Sequence, residues 1–378
     1  MWKTVRLSDL CKDYKKDIVD GPFGSNLKSE HFLNEGIPVL KIQNIKEYKI
    51  NDKKIDYVSE EKFIELRRHS FKNGDLVMTK LGSPLGVTAF VENIDEGLIV
   101  ADLVRIRSNN QLVNVKFLQY QLNSPLIRKQ INSAAKGATR QRINIGVIRN
   151  LLLLLPPLAE QQRIVAKLDA AFAEIDRAVA LTEDREVELV KLENSLLCST
   201  LTTEIWKAVM LGSVCELTYG KALPANNRLE KSEFPAYGAN GVKTYATSPL
   251  YSKPSIVIGR KGSAGEITKV SVPFWALDVT YYVQVNEDKV DLDYLFYVLI
   301  NLRLPRLARG VKPGINRNDV YKQIIPLPTL AEQKALVIKL DSAFKKIAAT
   351  KLLLADSKEK FRQLKSTILT QALQPPKQ

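Results

Sequence analysis

The sequence predicts an α/β (α+β) chain: two mixed α/β domains, each closed by a long helix, arranged as a tandem repeat. Three observations carry this expectation. The segments that begin at Leu158 and Leu330 match at 11 of 18 positions through Ile175 and Ile347, an offset of 172. Upstream, Trp2-Lys3-x-Val5-x-Leu7 with Cys11 recurs as Trp206-Lys207-x-Val209-x-Leu211 with Cys215, an offset of 204. Downstream of each match, apolar residues return every seven positions, the spacing of a helix that packs along one face. The two offsets differ by 32, so the first copy carries 32 more residues between its opening strand and its helix.

A chain of 378 residues exceeds one comfortable core, since domains average about 150 residues. The repeat divides it into a domain over 1–155, a helix over 156–203, a domain over 204–327, a helix over 328–373 and a tail over 374–378. In the domains, short strand-like runs are broken by Gly, Pro and Asn: Ile37 to Ile42, Asp75 to Thr79 and Leu98 to Val100, then Ser255 to Gly259 and Tyr281 to Val285. Pro156-Pro157 and Pro326-x-Pro328 fix an extended approach to each helix. Each helix then runs for about 40 residues, roughly 60 Å at 1.5 Å per residue. Leu168, Ile175, Leu189 and Leu196 share one heptad position in the first helix, and Leu340, Ile347, Leu354, Phe361 and Ile368 share one in the second. A stripe of this kind is most often a bundle core; the duplication favours pairing of the two stripes.

The charge points outward. Lys and Arg outnumber Asp and Glu by 56 to 41, a formal +15, and an excess of that size suits a polyanionic partner, nucleic acid ahead of an anionic membrane. No apolar run reaches the roughly 18 residues of a spanning helix, and nothing like a signal peptide follows Met1, so the expectation is a cytoplasmic protein without a membrane partner. Three separated cysteines (Cys11, Cys198, Cys215) and two histidines fit neither a disulfide framework nor a metal site. There is no phosphate-binding loop for ATP, no glycine-rich nucleotide turn and no Asn-Pro-Pro or Asp-Pro-Pro tetrapeptide, so no catalytic residues are assigned. Asp56 with Glu61-Lys62 only imitates a nuclease metal site, and such charge runs are usually solvated faces.

Two loop types suit DNA instead. A basic Gly-Ser turn follows a strand in each copy, with Lys80 and Ser83 in the first and Arg260, Lys261 and Ser263 in the second. Its glycines permit close backbone approach while Lys, Arg and Ser donate to phosphates or base edges. The second loop precedes each helix: Arg140, Gln141, Arg142 and Asn144 in one copy, Lys312, Asn316 and Arg317 in the other. Arg and Gln form bidentate bonds with guanine and adenine edges. The plainer alternative is a solvated basic linker that caps the helix.

At this point the residues resemble a known family. Duplicated domains, each closed by a Gly-containing loop with Ile-Asn and followed by Leu-Pro-Pro-Leu-Ala-Glu-Gln-Gln-Arg-Ile-Val, look like the specificity subunits of type I restriction-modification systems. The second copy departs in Thr329 and in Lys334-Ala335. The resemblance implies two target-recognition domains in pseudo-twofold relation, each reading half of a bipartite double-stranded DNA site, with antiparallel helices that set the spacing. It also implies two methyltransferase subunits and two motor-nuclease subunits as partners. S-adenosylmethionine, ATP and Mg would belong to those subunits, leaving this chain without cofactor. The rival readings are a free-standing DNA-binding protein with a coiled-coil spacer, and a nuclease active alone.

Overall fold

A computed structural model of the chain describes residues 2–137, 141–202 and 205–375. They fall into two compact units, Met1–Leu181 with Ser357–Gln378, and Thr182–Asp356. Each long helix therefore contributes to both. Among the described residues no helix is long and apolar enough to cross a membrane.

In the first unit the opening strand Lys3–Arg6 pairs antiparallel with Leu152–Leu155, the strand that leads into the long helix. An antiparallel sheet follows the order Ile18–Asp20, Leu103–Ile106, Leu76–Thr79, Thr88–Phe90. Its central strand Leu-Val-Met-Thr is buried at all four residues, which explains a continuous apolar run in place of alternation. A second sheet takes the order Asp56–Val58, Ile37–Leu40, Glu96–Ile99, Ser70–Lys72, with one parallel pair at its centre. Three helices cover the first sheet, Val115–Leu122, Pro125–Ala134 and Ile145–Arg149. Each starts where a side chain can stand in for a missing backbone acceptor: Asn114, Ser124 and Asn144 accept from the amides of Phe117, Ile127 and Val147.

The second unit repeats this plan. Lys207–Met210 pairs antiparallel with Ile324–Leu327, and an antiparallel sheet runs in the order Cys215–Tyr219, Thr280–Val285, Ser255–Gly259, Ile267–Val270. A further sheet orders Arg228–Leu229, Gly241–Ala246, Phe234–Gly238 and Trp275–Ala276. The added length of the first copy includes the helix Glu60–Glu65, the Ile45–Lys46 and Lys49–Ile50 hairpin, and Pro125–Ala134, opposite which the second copy has the short 3-10 turn Leu304–Leu307.

The long helices span Leu158–Leu201 and Leu330–Ala372. One buried glutamine fastens each to its domain. Gln161 is fully enclosed; its Oε1 accepts from Asn114 N at 2.8 Å and its Nε2 donates to Pro156 O at 2.8 Å and Leu112 O at 3.4 Å. Gln333 repeats the pattern with Asp291 N at 2.7 Å, Pro328 O at 2.8 Å and Lys289 O at 3.0 Å. The motif glutamine is thus a satisfied amide clamp, and no other residue type supplies one acceptor and two donors at that reach. Tyr120 donates to Asp169 about two turns further along, as Tyr297 does to Asp341. Thr329, where the first copy has Pro157, forms a capping box with Glu332: its amide donates to Oε2 at 2.8 Å and its hydroxyl at 2.7 Å.

Within the first unit, Leu168 and Phe172 share one apolar cluster with Leu369 and Leu373, and Lys365 pairs with Asp176. The two segments run in opposite directions there. Within the second unit, Leu197 and Leu201 cluster with Val337 and Leu340, while Lys351 pairs with Glu193 at 2.7 Å, again antiparallel. Leu168, Ile175, Leu340 and Ile347 are buried; Leu189, Leu196, Leu354, Phe361 and Ile368 are half-buried.

Replacing Gln161 or Gln333 with Ala leaves one part-buried amide and two carbonyls without the glutamine, and the expected cost is about 1–3 kcal/mol, read as a lowered thermal transition. Burial pushes the thiols of Cys11 and Cys215 up to about 12, so at pH 8 both remain protonated and unreactive. Iodoacetamide labelling of the native chain, mapped by mass spectrometry, is expected to modify exposed Cys198 and spare the other two.

Candidate nucleic-acid interface

The two loop types that stand far apart in sequence meet in space, and they do so in both units. In the first, the strand Leu76–Thr79 runs out at Lys80, and the turn that follows needs Gly82 in the left-handed region at φ +108°. Lys136 and Arg142 exchange backbone hydrogen bonds at 3.0 and 2.9 Å, which ties the two described flanks of the second loop together. Those flanks are laced to the turn: Ile143 N donates to Lys80 O at 3.1 Å, and Gly82 N to Gln141 O at 3.1 Å. Ser83, Gln141 and Arg142 are exposed on the resulting ledge. Lys80 is half-buried, its Nζ held 2.8 Å from Asp20 Oδ2. A cavity of about 440 Å³ opens between these elements, lined by Asp20, Phe23, Lys80, Lys136, Arg142 and Asn144 among others.

The second unit builds the same scaffold. Ile315 N donates to Arg260 O at 2.9 Å, Gly262 N to Pro313 O at 3.0 Å, and Arg309 and Gly314 exchange bonds at 3.0 and 3.1 Å. Gly262 occupies the place of Gly82, at φ +79°. The hairpin tip presents Val311 and Lys312 to solvent. Different side chains decorate this frame. Where the first unit has the Asp20–Lys80 ion pair, the second has Tyr219 beneath Arg260, the guanidinium 5.5 Å from the ring centroid. Arg260 is further fixed by Asp278 O, 3.2 Å from Nε and 2.7 Å from Nη2. Arg317 covers the same ring at 5.2 Å. The Tyr281 hydroxyl is raised to about 12 by burial first and by adjacent Tyr219 second, so it stays protonated and donates to Ile315 O at 3.1 Å. That bond braces the hairpin from below.

A guanidinium clamped on one edge and stacked on its face is pre-oriented, and its free edge suits a bidentate acceptor such as a guanine or a phosphate. Two ledges of exposed Lys, Arg, Ser and Gln, each on a backbone frame, are equipped to bind an anionic polymer and to sample its base edges.

The comparisons with known proteins agree with this geometry. The model of the type I restriction modification DNA specificity domain matches residues 1–189 and again 203–356. The chain belongs to that family. It carries two copies of the domain, and what it contributes is DNA recognition rather than catalysis. It is similar to a protein named as the type I restriction enzyme MjaX specificity subunit of Methanocaldococcus jannaschii, 24% identical, over 90% of this chain and 88% of that protein. The EcoKI specificity subunit of Escherichia coli is 25% identical over 46% of this chain and 39% of its own length. Among solved structures, a chain from work on assembly and conformational transition of the type I R-M system superposes with a TM-score of 0.79 at 21% identity, covering 99% of this chain and 97% of that one. The HsdS subunit from Thermoanaerobacter tengcongensis gives 0.55 at 20% identity, over 98% and 96%. These likenesses place the fold of this specificity-family chain.

Every residue expected at the DNA surface except Arg140 has a definite place. Lys261 and Lys312 are exposed and Ser263 half-buried on the second ledge. Asn144 and Asn316 cap the short helices behind these loops, accepting from Val147 N at 2.9 Å and Asn318 N at 2.8 Å. Arg317 leans inward between Tyr219 and Tyr321, with Nη1 3.4 Å from Leu217 O. Arg140 lies outside the described residues. Asp56 pairs with Lys41, and Lys62 with Glu65; among the described residues no group of three His, Cys, Asp or Glu side chains could hold a metal. Sequence reasoning missed Asp20, Phe23 and Tyr219, all beside the first glycine after a strand: Gly21 in one copy, Gly220 in the other. That glycine was the available signal.

Arg260→Ala removes the clamped fork, and the expected loss is about 1–3 kcal/mol on the preferred DNA sequence, measured by fluorescence anisotropy. A base contact makes the loss larger on that sequence than on unrelated DNA.

Proposed function

We propose that this chain is the address-reading subunit of a type I restriction-modification enzyme, in which the domain before each long helix reads one half of a bipartite, asymmetric DNA site. The observation that carries the reading is the doubled ledge: one backbone frame, built twice, with different side chains on each copy. Two modules on one chain add their discrimination, while unlike side chains call for unlike half-sites. The formal +15 supplies the sequence-independent attraction to phosphates on which such reading rests.

The long helices set the separation of the halves and, with the surfaces beside them, dock two methyltransferase subunits. S-adenosylmethionine belongs to those subunits, and ATP and Mg to two motor-nuclease subunits of the full complex, all acting in the cytoplasm. This extension is supported by the family match over both copies and by the naming of the relatives as specificity subunits of restriction enzymes.

Methylome sequencing of a host that expresses this chain with its neighbouring methyltransferase, against the methyltransferase alone, tests the reading. The expected outcome is a new two-part motif, modified in both halves, that depends on this chain; no chain-dependent modification refutes it. Removing one heptad from the middle of both helices together shortens them by about 10 Å, about three base-pair steps, and is expected to shorten the gap in the methylated motif accordingly. An unchanged gap would remove the helices from that role.

A further inference from the structure

We propose that Phe23 is an aromatic wedge that stacks on DNA bases in the half-site read by the first domain, an inference that rests on the specificity reading above. At 83% exposure Phe23 is the most exposed aromatic side chain among the described residues, ahead of Tyr219 at 47% and Tyr14 at 41%. An isolated ring in water is a poor use of a turn position, and this turn is held firmly. Gly21 and Pro22 before it are buried, and Leu27 after it joins an apolar cluster. Asn26 N donates to Phe23 O at 2.9 Å and closes the turn between those anchors. The root admits no side chain: a Cβ on Gly21 would lie 2.1 Å from Val100 O.

Charge around the ring selects the occupant. Phe23 lines the first cavity together with Lys80, Lys136 and Arg142, against the carboxylates of Asp20 and Asp102, and Lys80 already neutralises Asp20. An apolar ring on a rigid turn within a cationic rim fits a stacked base beneath a phosphate backbone. The cavity also has an apolar wall, formed by Leu81, Ile143 and Val147, against which the face of a base can lie. Phenylalanine also freezes only two side-chain torsions on contact, so little ordering entropy opposes stacking.

The duplication provides an internal comparison. Gly220 is the structural equivalent of Gly21: each donates its amide to the first residue of the neighbouring strand, Thr280 or Leu103, at 3.1 Å, and each would place a Cβ 2.1 Å from a carbonyl. Two residues beyond these glycines stand Phe23 and Ala222. The wedge is therefore confined to one half of the site, and the distortion it causes is confined likewise.

The test uses the full chain assembled with its methyltransferase subunits, after methylome sequencing has given the motif. Wild type, Phe23→Ala and Phe23→Trp are compared on the cognate duplex, on a scrambled duplex of equal length, and on cognate duplexes carrying 2-aminopurine at successive positions of either half. The expected result is a 2-aminopurine intensity change in one half only, lost in Phe23→Ala. With it comes about tenfold weaker cognate binding, unchanged scrambled binding, and recovery of both signals in Phe23→Trp. Cognate binding by Phe23→Ala equal to wild type, or equal weakening on both duplexes, overturns the wedge alone. A wild-type complex that binds both duplexes equally overturns the specificity reading and the wedge with it.

Discussion

The structure depends on a single amide at the start of each long helix. Gln161 and Gln333 each bond one backbone amide and two backbone carbonyls, and so fasten a helix of more than forty residues to the domain before it. Buried polar groups of this kind are worth little net when satisfied and cost much when broken, so they fix a geometry more than they add stability. Stability comes from the apolar residues about two to three turns further on, Leu168 with Phe172 and Leu340 with Phe344, which the amide helps to bring into register with the domain.

Part of the positive charge is spent inside the molecule. Arg105 donates to Ser70 O and Lys16 O, Arg107 forms a two-pronged bond with buried Asp75, and Arg149 donates to Ile18 O. Burial makes Arg105 easier to deprotonate than usual, while its bond to Asp75 makes Arg107 harder. These cations brace strands and have little left for a ligand. The cations on the two ledges differ in being exposed or clamped along one edge, so a count of Lys and Arg overstates the surface available to DNA, and its position is set by the loops.

The duplication, the helices and the two loop types were legible because each leaves a local trace: an offset, a seven-residue period, or glycine beside basic residues. Expected and observed helices differ by about two residues at their ends, as helix termini usually do. The partition of strands was not legible. The runs at Asp75 and Leu98 look alike, yet Leu76–Thr79 lies in one sheet and Glu96–Ile99 in the other, a choice made by pairings with residues dozens of positions away. At the ledges, composition pointed to Lys80, Arg142 and Arg260 but could not reveal that Asp20 pairs with the first and Tyr219 lies beneath the last. Asn144 and Asn316 read as polar contacts when the nearest unsatisfied groups were the amides of their own helices.

The first compact unit is discontinuous in sequence: its apolar cluster takes in Leu369 and Leu373, at the far end of the second long helix. A ribosome that delivers residues from the N-terminus has therefore released the whole second unit before the first can finish its core, at about 5–20 residues per second. For many seconds the earliest-made domain waits with an open seam. The end of the second long helix acts as its closure, so a chain that stops short of Leu369 is a fault of the first domain as much as of that helix.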